Sequence, residues 1–170
     1  MNLKKNLVFL GMMGSGKSSI GFLVSKKLNL NFIDIDNIIE NEGGMNIQNI
    51  FEKKGEKYFR NLEEKITLRN LKTNNNVISL GGGAFINKKI RKEVLTNHIS
   101  FWLNWDLEVL LNRIKNSKKR PLAFHSTNKE IVELIKKRTK IYSKAQFKID
   151  CNKLNKTEIV NEVVKIYEPN

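Results

Sequence analysis

Val8-Phe9-Leu10-Gly11-Met12-Met13-Gly14-Ser15-Gly16-Lys17-Ser18-Ser19 decides the reading of this chain. Three apolar residues run directly into Gly11-x-x-x-x-Gly16-Lys17-Ser18, the G-x-x-x-x-G-K-[ST] spacing of a phosphate-binding loop. Gly14 and Gly16 let backbone N–H groups turn inward around phosphate oxygens, where a Cβ would obstruct the approach. Lys17 places a cation beside the β- and γ-phosphates, and the Ser18 hydroxyl can ligate Mg²⁺. Ile20, Leu23, Val24 and Leu28 follow at helical spacing, so a helix N-terminus adds the positive end of its dipole. Four fixed positions match by chance in on the order of 1% of chains this long. The alternative is a bare Gly-rich turn. The strand before the loop and the helix after it favour nucleotide binding.

Outward from the loop, strand and helix alternate. Strands are expected at Leu7–Leu10, Asn31–Asp34, 77–80, 99–103 and Phe147–Asp150. Helices are expected at Lys17–Leu28, 37–42, 47–51, 56–72, 87–97, Leu107–Lys115, 130–145 and 157–166. That order gives an α/β fold with a five-stranded parallel, doubly wound sheet, helices on both faces, and Leu7–Leu10 as the central strand. The 170 residues suit one domain, with no internal repeat or linker. Residues 116–128 lack periodicity and read as a mobile lid.

Several residues stand where ligands bind such a sheet. Asp34 and Asp36 close the second strand, at the edge an open α/β sheet uses for its ligands. Asp36 could instead cap the next helix. Gly81-Gly82-Gly83 ends the third strand and allows close backbone approach. Arg60 opens a helix with Glu63 one turn on. Arg60 either makes a surface i,i+3 or i,i+4 pair with Glu63 or Glu64, or is held by Glu63 so that its guanidinium grips an anion. Arg138 falls on the core-facing stripe with Leu134, Ile135, Ile141 and Tyr142. A buried ion pair would satisfy it, and so would an anionic ligand. Arg113 sits late in its helix, where the dipole favours a cation. Asp106 can cap that helix. Trp102 and Trp105 read as packing, and His98 and His125 are assigned no role.

Composition narrows the function classes. The chain is 40% hydrophobic and 28% charged, as in a soluble globular protein, and no apolar run reaches a membrane span. The one cysteine, Cys151, cannot form an intramolecular disulfide, suits a reducing cytoplasm, and reads as a small buried residue. The net charge of +14 could mean nucleic-acid binding. Its lysines are spread along the chain, so they read as solvated surface with no specific nucleic-acid partner. A GTP-binding switch would need N-K-x-D. The runs beginning at Asn87, Asn128, Asn152 and Asn155 all lack the Asp, and no D-x-x-G switch is present.

Taken together, the chain resembles shikimate kinase, a small relative of the nucleoside monophosphate kinases. The resemblance rests on the loop, Asp34-x-Asp36, Phe59-Arg60 with Glu63, Gly81-Gly82-Gly83, Arg120-Pro121-Leu122, and Arg138 with Tyr142 and Ala145. It implies a three-layer αβα P-loop fold with a substrate-binding segment near 34–62 and a lid near 116–128. It implies ATP-dependent phosphorylation of the shikimate 3-hydroxyl, on the route to chorismate and the aromatic amino acids, by a cytoplasmic monomer. By resemblance, Gly14, Ser15, Gly16, Lys17, Ser18 and Ser19 hold the ATP phosphates, and Ser18 and Asp34 place Mg²⁺. Asp36 takes the ring hydroxyls and acts as base or orienter. Arg60 and Arg138 clamp the shikimate carboxylate, with backbone contacts from Gly82 and Gly83. Arg120 swings onto the transferring phosphoryl, making Lys17, Asp36 and Arg120 the catalytic set, and Arg113 lies against the adenine. Ser19 stands where Thr is usual, Ala123 where Leu is common, and residues 151–156 lack the family's frequent Pro. Gluconate and nucleoside monophosphate kinases share the loop. The paired aspartates, triple glycine and core-facing Arg138 favour a polyhydroxylated carboxylic acid instead.

Overall fold

Leu7-Val8-Phe9-Leu10 is buried along its whole length, and its alternating side chains feed two separate cores. The computed structural model describes residues 5–116 and 126–168. Its elements run β1 (Leu7–Leu10), α1 (Lys17–Leu28), β2 (Asn31–Asp34), α2 (Ile35–Gly43), α3 (Ile47–Leu71) and β3 (Asn76–Ser79). They continue with α4 (Lys88–Asn97), β4 (Ile99–Asn104), α5 (Leu107–Lys115), α6 (Asn128–Tyr142), β5 (Phe147–Asp150) and α7 (Lys156–Tyr167).

The strand order is β2-β3-β1-β4-β5, and all four pairings are parallel. The chain leaves β1 toward one side of the sheet and returns through β3 to β4 and β5 on the other. Right-handed crossovers then put the first connection on one face and the later ones on the opposite face. Accordingly Ile20 and Val24 of α1 join Ile159 and Val163 of α7 around Leu7 and Phe9. Ile39, Ile66, Ile90, Leu110 and Ile135, from α2 to α6, gather around Val8 and Leu10. Phe101 stacks between Phe9 and Phe147, with centroids 5.7 and 5.3 Å away. The three-layer αβα arrangement matches the expectation. Among the described residues, no helix is long and apolar enough to cross a membrane.

The register aligns the functional edge. Asp34 lies opposite Ser79, Ser79 opposite Phe9, and Leu10 opposite Trp102. The phosphate loop, the Asp34–Asp36 corner, the triple glycine and Trp105 therefore all emerge at the carboxyl ends of the strands, around β1.

Several boundaries differ from the expectation. The cap of α2 is Asp34, whose Oδ1 accepts from the N–H groups of Asp36 and Asn37 at 3.0 and 3.3 Å. Asp36 therefore lies inside the first turn and does not cap it, so the helix begins before residue 37. Gly55 does break the helix, at φ 79° and ψ 165°, but helical geometry resumes at once and α3 continues to Leu71. Strand β3 starts at Asn76, which Asn6 holds. A single 3₁₀ turn, Ala84–Ile86, follows the glycines. Asp106 precedes α5 without a side-chain cap bond. Helix α6 starts earlier than residue 130, closed by a capping box between Thr127 and Glu130. Cys151 is buried, and that burial pushes its thiol up to about 12, as an inert core residue requires.

Asn6 fixes the approach to β3. Its Oδ1 accepts from the Asn76 backbone N–H at 3.0 Å, and its amide donates to the Thr73 and Leu71 carbonyls. Asn6 itself is fully buried, and so is its bond to the Asn76 N–H. Asn6→Leu strands these groups and is expected to lower stability by about 2 kcal/mol or more in urea unfolding. An unchanged midpoint would show that the turn does not depend on Asn6.

Candidate active site

Along the edge above β1 and β3 lies a cleft of about 830 Å³. Its walls include Gly14, Gly16, Lys17, Ser18 and Ser19 from the loop, Asp36 from α2, Arg60 and Glu63 from α3, Gly82 and Gly83, and Arg138 from α6. The structure thus brings most of the expected site residues into one cavity. Ser15, Asp34 and Arg113 do not line it, and Arg120 lies outside the described residues.

The phosphate loop has the shape its sequence requires. Gly14 and Gly16 adopt φ of 81° and 90°, left-handed conformations that favour glycine. Lys17 is buried and bridges the loop, its Nζ donating to the carbonyls of Gly11 at 3.0 Å and Met12 at 3.1 Å. Helix α1 starts at Lys17, so its free N–H groups and dipole open onto the cradle. Ser18 Oγ lies 3.4 Å from Ser79 Oγ at the end of β3. These features fit a nucleotide polyphosphate with Mg²⁺. Among the described residues no group of three His, Cys, Asp or Glu converges on a cation site. Mg²⁺ characteristically takes one or two protein ligands and phosphate oxygens, which suits the Ser18 hydroxyl. Asp34 spends Oδ1 on the α2 cap.

Opposite the loop, charged side chains rest on bare backbone. A Cβ at Gly83 would come within 2.5 Å of Arg60 Nη1. One at Gly81 would come within 2.7 Å of both Asp36 Oδ1 and Glu63 Oε1. A side chain at either position would have to push these charged groups from their places against the backbone. Glu63 is buried and takes Arg60 Nη1 at 2.7 Å, while Glu56 takes Arg60 Nε at 3.3 Å. Phe59 and Phe51 lie beneath the guanidinium, with centroids 5.0 and 6.0 Å away. Burial works against the Arg60 charge, and Glu63 and Glu56 overcome that, so its pKa lies above the ordinary guanidinium value. Glu63 itself is raised by burial, against the pull of Arg60 and Arg138.

Arg138 is 7% exposed, and its Nη1 donates to the Gly82 carbonyl at 3.3 Å and approaches Met12 Sδ at 4.0 Å. Among the described residues it forms no salt bridge. Tyr142, pushed up to about 12 mainly by burial, keeps its proton and donates it to the same carbonyl. Among the described residues no carboxylate comes within salt-bridge distance of Arg138, although Glu63 is near enough to feel its charge, and Arg138 lines the cleft together with Arg60.

Asp36 lies between the two halves. Part of its surface faces the cleft, yet it is enclosed enough that desolvation dominates. Burial raises it to about 6, Lys17 pulls it down, and Asp34, Glu63 and Glu40 push it further up.

Some residues carry more than the sequence indicated. Trp105 was expected to pack. Its Nε1 donates to the Ser15 carbonyl at 2.8 Å, and Arg113 lies over its ring, Cζ 3.8 Å from the centroid. Arg113 Nη1 also donates to the Gly14 carbonyl at 3.2 Å. Ser79 could have been singled out as a hydroxyl within an apolar strand. Glu40, Asn46, Gln48 and Phe51 line the outer cleft, and no motif marks Gln48 or Phe51.

A parallel sheet with a phosphate loop at β1, and two guanidiniums across a shared cleft, define a phosphate-loop kinase for a small anionic acceptor. The family model described as shikimate kinase matches residues 13–168. The shikimate kinase of Persephonella marina is 41% identical over 160 residues, covering 94% of this chain and 97% of that protein. The crystal structure of shikimate kinase from Aquifex aeolicus superposes with a TM-score of 0.86 at 38% identity, covering 97% of each chain. The Acinetobacter baumannii shikimate kinase in complex with shikimate reaches a TM-score of 0.92 at 28% identity, covering 98% of this chain and 94% of that one. The chain belongs to the shikimate kinase family.

The raised Asp36 carboxyl has a consequence for stability. The folded protein holds this proton more tightly than the unfolded chain, so the Asp36 contribution is fully present below about pH 4 and is lost as pH rises through 6. Asp36→Asn is expected to stabilise the fold at pH 8 by up to about 3 kcal/mol, and progressively less at lower pH. Equal effects at pH 8 and pH 4.5 in urea titrations would refute the raised carboxyl.

Proposed function

We propose that this protein transfers the γ-phosphoryl group of ATP to the 3-hydroxyl of shikimate, a step toward chorismate and the aromatic amino acids. The observation that carries the acceptor assignment is Arg138, buried without a salt bridge among the described residues and opening on the same cleft as Arg60. A carboxylate held between the two guanidiniums would supply the missing counter-charge and fix one end of the acceptor.

Phosphoryl transfer runs through a loose transition state, so positioning and charge neutralisation dominate. Gly14, Ser15, Gly16, Lys17, Ser18 and Ser19 hold the ATP phosphates in this account. The Ser18 hydroxyl would hold Mg²⁺ with Asp34 helping to place it, and the ion would supply neutralisation of phosphate charge. Lys17 leaves its loop carbonyls for the phosphate oxygens. Asp36 accepts hydrogen bonds from the ring hydroxyls, and above pH 6 its carboxylate can take the proton of the attacking one. Gly82 and Gly83 bring backbone close to the ring. Arg113 lies against the adenine. Arg120 comes onto the transferring phosphoryl from a lid near 116–128, excluding water. The chain works as one domain over 1–170, its substrate segment near 34–62, as a cytoplasmic monomer with no specific nucleic-acid or membrane partner.

The test is ADP release from Mg-ATP with shikimate, quinate, gluconate, AMP or no acceptor. Release with shikimate alone is the expected result. Release with gluconate or AMP would keep the phosphate loop and overturn the acceptor site.

A further inference from the structure

Trp105 follows β4 directly and belongs to neither substrate half of the cleft. Its backbone is fixed on both sides. The Asn104 carbonyl accepts from the Cys151 N–H at 3.0 Å, and the Asp106 N–H donates to Asn152 Oδ1 at 2.7 Å. From this anchored position the indole makes two contacts, and each reaches the nucleotide side of the loop. One is the hydrogen bond to the Ser15 carbonyl. The other is the stacked Arg113 guanidinium, which itself holds the Gly14 carbonyl.

The hydrogen bond sets a direction. The structure holds no cis peptides among the described residues, and a trans peptide points its C=O and N–H to opposite sides. With the Ser15 carbonyl turned out to the indole, the Gly16 N–H is turned the other way, and Gly16 lines the cleft. The contact with the ring, Cζ 3.8 Å from the centroid, together with the bond to the Gly14 carbonyl, restricts an arginine that is otherwise exposed at the end of α5.

We propose that Trp105 is a positioning residue of the nucleotide site. It aims the Gly16 N–H at the phosphates by holding the Ser15 carbonyl, and it presents Arg113 as a flat cationic face to the purine. The second half rests on the reading of Arg113 given under the proposed function. The first half does not. Trp105 touches no substrate in this account and acts through the loop and through Arg113.

Two variants separate these contacts. Trp105→Phe keeps a ring face and removes the N–H donor. Trp105→Leu removes both. Calorimetric titration of the intact protein with MgADP, magnesium pyrophosphate and shikimate reads each separately. Trp105→Phe is expected to weaken MgADP and pyrophosphate alike by about tenfold, with shikimate affinity unchanged within twofold. Trp105→Leu is expected to weaken MgADP further and pyrophosphate no further. Wild-type affinity for MgADP in Trp105→Phe would overturn the proposal. So would a parallel loss of MgADP and shikimate, since that marks a general structural role. Equal additional losses of MgADP and pyrophosphate in Trp105→Leu would overturn the second half alone. A wild-type protein that binds MgADP but does not phosphorylate shikimate would overturn the proposed function and leave this assignment standing.

Discussion

Charged side chains packed directly onto the backbone of Gly81-Gly82-Gly83 are the constraint on which the site depends. Arg60 sits on Gly83, Asp36 and Glu63 sit on Gly81, and Arg138 and Tyr142 hold the Gly82 carbonyl. Burying this much charge is costly unless the charges satisfy one another. Glu63 does most of that work, since it bonds Arg60 and also feels Arg138. Arg60 takes both Glu63 and, at the exposed rim, Glu56, whereas Arg138 feels Glu63 only at longer range and has no carboxylate within salt-bridge distance among the described residues. Both guanidiniums line the cleft. In the proposed function a carboxylated acceptor would pair with both guanidiniums, so one contact would supply both affinity and orientation.

The sheet delivers these groups to one place. Parallel register brings Asp34, Ser79 and the end of β1 level. The triple glycine therefore starts beside the phosphate loop, and a Cβ at Gly82 would lie 3.1 Å from the Met13 backbone nitrogen. Met12 ties the halves together. Its carbonyl accepts from Lys17, and its sulfur lies near the Arg138 and Tyr142 side chains. Asp36 is held above the usual carboxylate range chiefly by burial, and more weakly by its acidic neighbours. A carboxylate in this position can accept a proton near neutral pH, so the cost in stability and the capacity for chemistry have one origin.

Much of this was legible in the sequence. The loop motif, the short apolar strands and the strand–helix alternation give the three-layer fold, because each rests on local chemistry. The Arg60–Glu63 pair and the core-facing Arg138 were visible as i,i+3 spacing and as a cation on an apolar stripe. What escaped the sequence depends on packing at long range. Asp34 caps α2 because the helix starts directly at the strand end, a boundary that propensity does not resolve. The hydrogen bond from Trp105 spans β4 and the phosphate loop, which are far apart in sequence, and an indole gives no local sign of which carbonyl it will reach. Asn46 and Gln48 share the cleft with the phosphate loop only once α2 and α3 are in place, since they lie about 30 residues beyond it in sequence.

If Arg60 and Arg138 recognise a carboxylate, shikimate and its methyl ester should differ sharply in affinity, since the ester keeps the ring and hydroxyls and loses the charge. Calorimetric dissociation constants are expected to show the ester binding at least about 100-fold more weakly, as when a buried charge pair loses one partner. Equal affinity for acid and ester would contradict it, and would leave Arg138 buried for some reason other than the acceptor.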